Sequence, residues 1–307
     1  MKNEKFSGRH CRRCLYTSLS VPDMIRFVRM VSPDYDIYKR SGYPKDSPIP
    51  TQDAASRIVI DMIRDGRYVD FVEHLIQIDS GGFMGRRYDL RGLDDVIGGI
   101  IEHGYNYDKA TGQFMENQKE RISLNWGRLK GGDERHMTLL RLDIAGNSVL
   151  VKENPGNSIE KAYRDMRVIV TNAVVSRLGR LWSWEGDGAL AAFMFGNKDK
   201  LAIFAGMEIL HELFIYNKTG NPLNSPIRVR IGLNAGPVRY SHNMTDCLKG
   251  DAIKKVVELE SKTAPNSLAI SRNLFMSLGQ AMLSVFAAEQ SSGSVHFRQY
   301  QANLEKS

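Results

Sequence analysis

The spacing of the apolar residues changes once along this chain, and that change bounds what it can fold into. From Ala54 the apolar positions fall at helical spacing, with Ala55, Ile58, Val59, Met62 and Ile63 on one face. Asp65-Gly66 interrupts the pattern. Tyr68, Val69, Phe71, Val72, Leu75 and Ile76 resume it, so residues 51–78 read as a helical hairpin. Shorter helices are predicted over 21–31 and Leu93–His103. A polar, glycine-rich stretch at 104–136 follows, and after it strands alternate with helices. MTLLRLDI (137–144) reads as a strand, and 158–179 as a long helix with Ser158 as its N-cap. Residues 180–195 read as a hairpin, 198–217 as a helix, 227–240 as a strand pair, 250–263 as a helix and SLAIS (267–271) as a strand. AMLSVFAA and VHFRQY suit a terminal strand pair. The expected organisation is a basic flexible tail at 1–20 and a mainly helical domain at 21–130 for regulation or interaction. An α/β (α+β) domain at 131–307 completes it.

Composition narrows the function classes. The chain of 307 residues is 42% hydrophobic and 25% charged, which supports a soluble globular core. No apolar run approaches eighteen residues, so no membrane span is expected. The opening MKNEKFSGRHCRRCLYTSLS is too polar for a secretory h-region, and three cysteines do not make a disulfide framework. A cytoplasmic address is the expectation. The formal net charge of +7 points to an anionic partner: nucleotide, nucleic acid or lipid headgroups. Nucleic acid fits poorly, because the second helix of the hairpin, YVDFVEHLIQID, is acidic where a recognition helix needs bases. No P-loop run is present. Cys11 and Cys14 make one C-x-x-C with no second pair, short of the four ligands zinc normally takes.

Two aspartates stand at comparable places. Asp143 ends the strand MTLLRLD and enters the loop IAGNS, and Asp187 sits in the EGDG turn of the hairpin. Paired strand-end carboxylates can hold a hard divalent cation, with substrate phosphates completing its shell. The small loop after Asp143 leaves backbone N–H groups free for phosphate oxygens. Asp-Gly in a turn is also ordinary turn chemistry, so spacing alone leaves both readings open.

The order DIAGNS, long helix, GDG hairpin, helix, VRIGLNAGPV and GDAIKKVVELESKTAPNSLAIS resembles the class III nucleotidyl cyclase catalytic domain over about residues 137–280. The resemblance implies a ferredoxin-like α/β unit that pairs head to tail, with active sites at the dimer interface. It implies two metal ions, Mg²⁺ or Mn²⁺, held by Asp143, Asp187 and the Ile144 carbonyl. Asn147 and Ser148 would lie in the phosphate-contacting loop. The implied reaction is attack of a ribose 3′-hydroxyl on the α-phosphate of a nucleoside triphosphate, with pyrophosphate leaving.

The other half of the implied site departs from the family. Four residues before the second metal aspartate, adenylate cyclases carry Lys and guanylate cyclases Glu; this chain has Ser183, and alternation puts Ser183 and Glu185 on one strand face with Trp182 and Trp184 on the other. Three residues before Gly250, adenylate cyclases carry Asp or Thr and many guanylate cyclases Cys; this chain has Cys247. The adenine-reading pair is therefore absent, and Ser183 and Cys247 would flank an unspecified base. Where the family places an Asn and a transition-state Arg, this chain has Lys254 and Glu258, leaving Lys254 or Lys255 to supply the charge, with Lys254 taken as the phosphate contact. Three accounts fit: an active cyclase with a different site, the metal-bearing half of a heterodimer, or an inactive nucleotide-binding sensor.

Overall fold

A computed structural model describes residues 8–302 except 46, 110, 120 and 121. The chain forms two compact units, with the division between Ile122 and Ser123.

The first unit contains helices α1 (Arg9–Ser18), α2 (Val21–Val31), α3 (Ile37–Ser41), α4 (Thr51–Arg64), α5 (Tyr68–Gly81) and α6 (Leu93–Ile101), then the small hairpin β1 (Tyr105–Asp108) and β2 (Gln113–Glu116). The predicted helical hairpin is α4 and α5. Ala55, Ile58, Val59 and Met62 of α4 and Phe71, Val72 and Leu75 of α5 are buried in one core. Ser20 caps α2, accepting from Asp23 N–H at 3.3 Å.

The expected flexible tail is corrected over the residues described. Residues 9–18 form α1, and its Cys11, Cys14 and Leu15 are buried. Those positions make a narrow apolar stripe at i, i+3 and i+4 within an otherwise basic segment. Residues 1–7 of the expected tail lie outside the described residues. Burial pushes the Cys14 thiol up to about 12, and the Cys11 thiol is also raised, first by burial and then by Cys14. The reactive species is the thiolate. Iodoacetamide at neutral pH should therefore leave Cys11 and Cys14 unmodified in the native chain and alkylate both in denaturant, as read by mass spectrometry. Fast native labelling of either would contradict their burial.

A charged centre also lies inside this unit. Asp61 is fully buried and accepts from Tyr35 Oη at 2.9 Å and from Arg57 Nε at 2.9 Å. Arg64 approaches it at 2.9 Å and Arg40 at 3.8 Å.

The second unit holds β3 (Glu134–Ile144), α7 (Asn147–Glu153), α8 (Gly156–Val175), β4 (Arg180–Glu185), β5 (Gly188–Phe193), α9 (Lys198–Thr219) and β6 (Val229–Arg239). It continues with α10 (Met244–Cys247), α11 (Asp251–Ser261), β7 (Ser267–Ser271), α12 (Arg272–Phe275), α13 (Gln280–Leu283), β8 (Gln290–Ser292) and β9 (Val295–Gln301). The sheet order is β4-β5-β3-β6-β7-β9-β8, antiparallel except for β6 with β7. The order of β3, α8, β4, β5, α9 and β6 is the βαββαβ of a ferredoxin-like unit. Helices α8 and α9 bury Met166, Val170, Ile203 and Ile209 against Leu140, Leu142, Phe193 and Ile231 of the sheet.

Several boundaries differ from the sequence reading. Residues 123–130 belong to the second unit rather than to the helical one. Trp126 is fully buried there and donates its Nε1–H to the Leu178 carbonyl at 2.7 Å. Residues 227–240 contain one long strand, not two. Helix α8 starts at Gly156 after Pro155, and Ser158 is not its cap. AMLSVFAA contributes α13 rather than a strand, and the terminal pair is β8 with β9.

Candidate active site

Strand β3 is two-faced. Leu140, Leu142 and Ile144 enter the helix-covered core, and alternation puts Arg141 and Asp143 on the other face. The neighbouring strands set what these two residues meet. In β6, Arg230 pairs with Asp143 and Gly232 with Arg141. In β5, Ala189 pairs with Leu142, which places Gly188 next along, opposite Asp143. The β4–β5 turn has a left-handed backbone at Gly186 (φ 58°) and not at Asp187, the arrangement in which the first turn position needs glycine. Asp187 is thereby held at the hairpin tip beside the end of β3. A Cβ on Gly188 would lie 2.6 Å from an Arg141 guanidinium nitrogen. Gly188 thus leaves room for Arg141.

Helix α11 closes over the same face. A Cβ on Gly232 would meet the Glu260 nitrogen at 2.8 Å and the Val256 carbonyl at 3.0 Å, so glycine lets the helix backbone settle on the strand. This brings Glu260, buried, to the aspartates. Arg230 donates to Asp143 Oδ2 at 2.8 Å, and its Nε stands 3.2 Å from Glu260 Oε1. Burial pushes the Glu260 carboxyl up to about 7; Asp143 and Asp187 add to the rise, and Arg230 and Arg141 oppose it. Tyr163 of α8 donates its hydroxyl to Asn147 Oδ1. Burial raises this phenol, and both Asp187 and Asp143 raise it further. The two aspartates therefore act on the same two neighbours. Arg230 is the guanidinium that Asp143 and Glu260 have in common.

The other residues singled out from sequence are dispersed. Ile144 ends β3 with its side chain in the core. Asn147 and Ser148 open α7, directly after Gly146. Ser183 is paired with Leu190, and a bulge between Leu181 and Ser183 breaks the expected alternation of β4. In consequence Trp184 packs toward the helix-covered core while Trp182 packs with Trp126 and Tyr240. Cys247 is buried; its Sγ accepts from Ser241 N–H at 3.0 Å and contacts the Ser241 carbonyl at 3.3 Å. Lys254 and Glu258 lie on the exposed side of α11, near Asp251 at 3.6 Å and Lys262 at 3.9 Å respectively.

Cys247 does not reach the aspartates within one chain. Asp143 pairs with Arg230 at the start of β6, whereas Cys247 contacts Ser241 beyond its end at Arg239. At about 3.3 Å per residue that strand separates them by roughly 30 Å. Sequence reasoning missed Arg141, Arg230, Glu260 and Tyr163. A charged residue two places from Asp143, and another inside the apolar run IRVRIGL, were the available signals for the arginines. Glu260 carried none, because a glutamate on an amphipathic helix ordinarily faces water.

The donor chemistry at Asp143 and Asp187 fits a hard divalent cation: carboxylate oxygens at adjoining strand ends, with a buried Glu260 Oε1 beside them that has no hydrogen-bond partner among the described residues. Among the described residues no group of three or more His, Cys, Asp or Glu is arranged to hold a metal ion. Oxygens from a backbone or a bound phosphate would have to complete the shell. A separate cavity of 490 Å³, lined in part by Leu213, Asn217, Asn221 and Arg228, includes none of these carboxylates. The Asn217 and Asn221 amides in its lining are already used by the backbone of Leu223, Ser225 and Ile227. Among the described residues no helix is long and apolar enough to cross a membrane.

No protein-family model matches the chain. Uncharacterized proteins of Mycobacterium bovis and Mycobacterium tuberculosis are each 22% identical over 200 residues, covering 51% of this chain and 35% of the relative. The chain thus spans about a third of the length of these curated relatives. Among solved structures, it is similar to the guanylyl cyclase domain of the RhoGC fusion protein from the aquatic fungus Blastocladiella emersonii. That likeness has 15% identity and a TM-score of 0.47, and covers 55% of this chain and 97% of that one. It is also similar to an adenylate/guanylate cyclase/hydrolase from Silicibacter pomeroyi, with 21% identity and a TM-score of 0.47, over 56% of this chain and 100% of that one.

Proposed function

We propose that the second unit converts a nucleoside triphosphate into a 3′,5′-cyclic nucleotide and pyrophosphate, in a site completed by a second copy of the chain. What supports this reading is the placement of Asp143 at the end of β3 and of Asp187 one residue before Gly188, which the register sets opposite Asp143. Divalent ions bound there, Mg²⁺ or Mn²⁺, would supply Lewis-acid stabilisation of the attacking and leaving oxygens. The chain's own residues do the rest. Asp143 and Asp187, with the Ile144 carbonyl, hold the cations and so orient the triphosphate. Asn147 and Ser148, at the opening of α7, offer backbone N–H groups to phosphate oxygens. The partner copy supplies Ser183 and Cys247 around the base and Lys254 as a cation for the phosphates. The separation of Cys247 from Asp143 by the length of β6 is what calls for two chains, as a head-to-tail homodimer.

The base is left open by these residues. Cys247 is tied to Ser241, so it shapes a base pocket rather than offering a free donor. A second reading has one specific support: Glu258 stands on the exposed side of α11 where a cation would stabilise the transferring phosphate. On that reading the chain is a nucleotide-binding sensor, or the metal-bearing half of a heterodimer.

Incubation of the purified chain with ATP, GTP, CTP and UTP separately, with Mn²⁺, tests the two. A cyclic product from one of them is expected, together with pyrophosphate in equal amount. Nucleotide-dependent thermal stabilisation without product from any of the four would discard catalysis by the lone chain and favour the second reading.

A further inference from the structure

Arg230 has two carboxylates within reach and is hydrogen-bonded to one. Its guanidinium donates to Asp143 Oδ2 at 2.8 Å. Its Nε lies 3.2 Å from Glu260 Oε1, an ion-pair distance, but the hydrogen bond is not made. Both of those atoms are buried, and neither has a hydrogen-bond partner among the described residues. Burying an unpaired donor and an unpaired acceptor side by side is unfavourable, and a small rotation of the guanidinium would join them. The two anchors are fixed. Arg230 is held by the β3–β6 ladder, and Glu260 is pressed onto that ladder where Gly232 lets α11 approach.

A guanidinium on Asp143 and a divalent cation on the same carboxylate repel one another. We propose that Arg230 is the resident counter-cation of Asp143, and that Glu260 receives it when Asp143 takes a divalent cation. This rests on the reading above that Asp143 and Asp187 are a cation site. Arg230 is then a positioning residue. It neutralises converging carboxylates when no cation is bound, and it sets the affinity for the cation by what it costs to move. Glu260 lowers that cost by offering a buried acceptor on the far side of the same guanidinium.

The test is Mn²⁺ binding by the full chain at about pH 8, read from the paramagnetic resonance of the free ion, with no nucleotide and no turnover. Four proteins are compared: wild type, Arg230→Gln, Glu260→Gln and the double variant. Arg230→Gln should bind Mn²⁺ about tenfold more tightly, because the competitor is gone, and Glu260→Gln about tenfold more weakly, because Arg230 stays on Asp143. With Arg230 already replaced, Glu260→Gln should lose most of its effect. Equal weakening in both backgrounds overturns the inference, since Glu260 would then act as a fixed charge only. Mn²⁺ binding that is lost in Asp187→Ala while the cycle is additive overturns this inference alone. No binding by the wild type, or binding indifferent to Asp187→Ala, overturns the cation-site reading and this inference with it. If a Gln variant lacks the native circular dichroism, the charge-removing pair Arg230→Met and Glu260→Met completes the same cycle.

Discussion

Asp187→Ala should lower cyclic-product formation by about 10³-fold or more while leaving the thermal midpoint of the chain nearly unchanged. The two halves of this expectation have different sources. The large kinetic loss follows from removing a carboxylate that would fix the ions stabilising charge in the transition state. The small stability change follows from where Asp187 stands. It is at a two-residue turn whose backbone demand falls on Gly186, and alanine adopts the backbone of the second position. Substitutions at such partly exposed sites shift stability by about 0.5 kcal/mol or less. The proposed division of the site between two chains adds a sharper expectation. Lys254→Glu alters an exposed side chain at the far half, so it should also be inactive yet folded. In a mixed dimer of the two variants, one site carries both defects and the other carries neither. Random pairing should then restore roughly a quarter of wild-type activity from two inactive proteins. Equimolar mixing followed by a product assay reads this directly. An absence of recovery, with mixed dimers demonstrated, would show that both residues serve the same site within one chain.

The largest stability effect is expected at Asp61. Asp61→Ala leaves the Tyr35 hydroxyl without its acceptor and leaves Arg57, Arg64 and Arg40 facing one another around a cavity. Breaking a buried charge pair by removing one partner costs about 3–5 kcal/mol. The lower end applies here, because the three arginines keep part of their side chains in water: 29%, 56% and 30% respectively. Asp61→Asn should cost less, because it retains an oxygen for Tyr35 and the volume of the side chain. Denaturant titration can assign the loss to a unit. All three tryptophans, Trp126, Trp182 and Trp184, lie in the second unit, so their fluorescence reports on that unit, whereas far-ultraviolet dichroism reports helices of both. The dichroism midpoint should fall in Asp61→Ala. An unchanged midpoint by both probes would mean that the ion pairs contribute nothing net.

Much of the second unit was legible from residues in order along the chain. The strand ending in Asp143, the GDG hairpin and the long helices are local patterns, each set by alternation, helical spacing or a turn, and each formed close to where it was expected. The helical pair at residues 51–78 was legible for the same reason. The errors arose where a short apolar signal was embedded in charge or where the period was locally broken. Cys11, Cys14 and Leu15 are only three positions in a basic segment, too few to outweigh its charge until α4 supplies a surface for them. A single bulged residue in β4 sent the two tryptophans to different neighbours.

The sequence by itself determined the two aspartates and their places at a strand end and a hairpin tip, because these depend on residue type and spacing along one strand or turn. Only the tertiary structure decided which charges surround them. Arg230 and Glu260 reach Asp143 across a strand pairing and through a helix packed on Gly232, with Asp143 87 residues away from Arg230 in sequence. Register and close approach of that kind are properties of three-dimensional packing, and no local pattern in the chain encodes them. The same holds for the distance between Asp143 and Cys247. Their separation is the length of a strand, and it became visible only when that strand was found to be continuous from Val229 to Arg239.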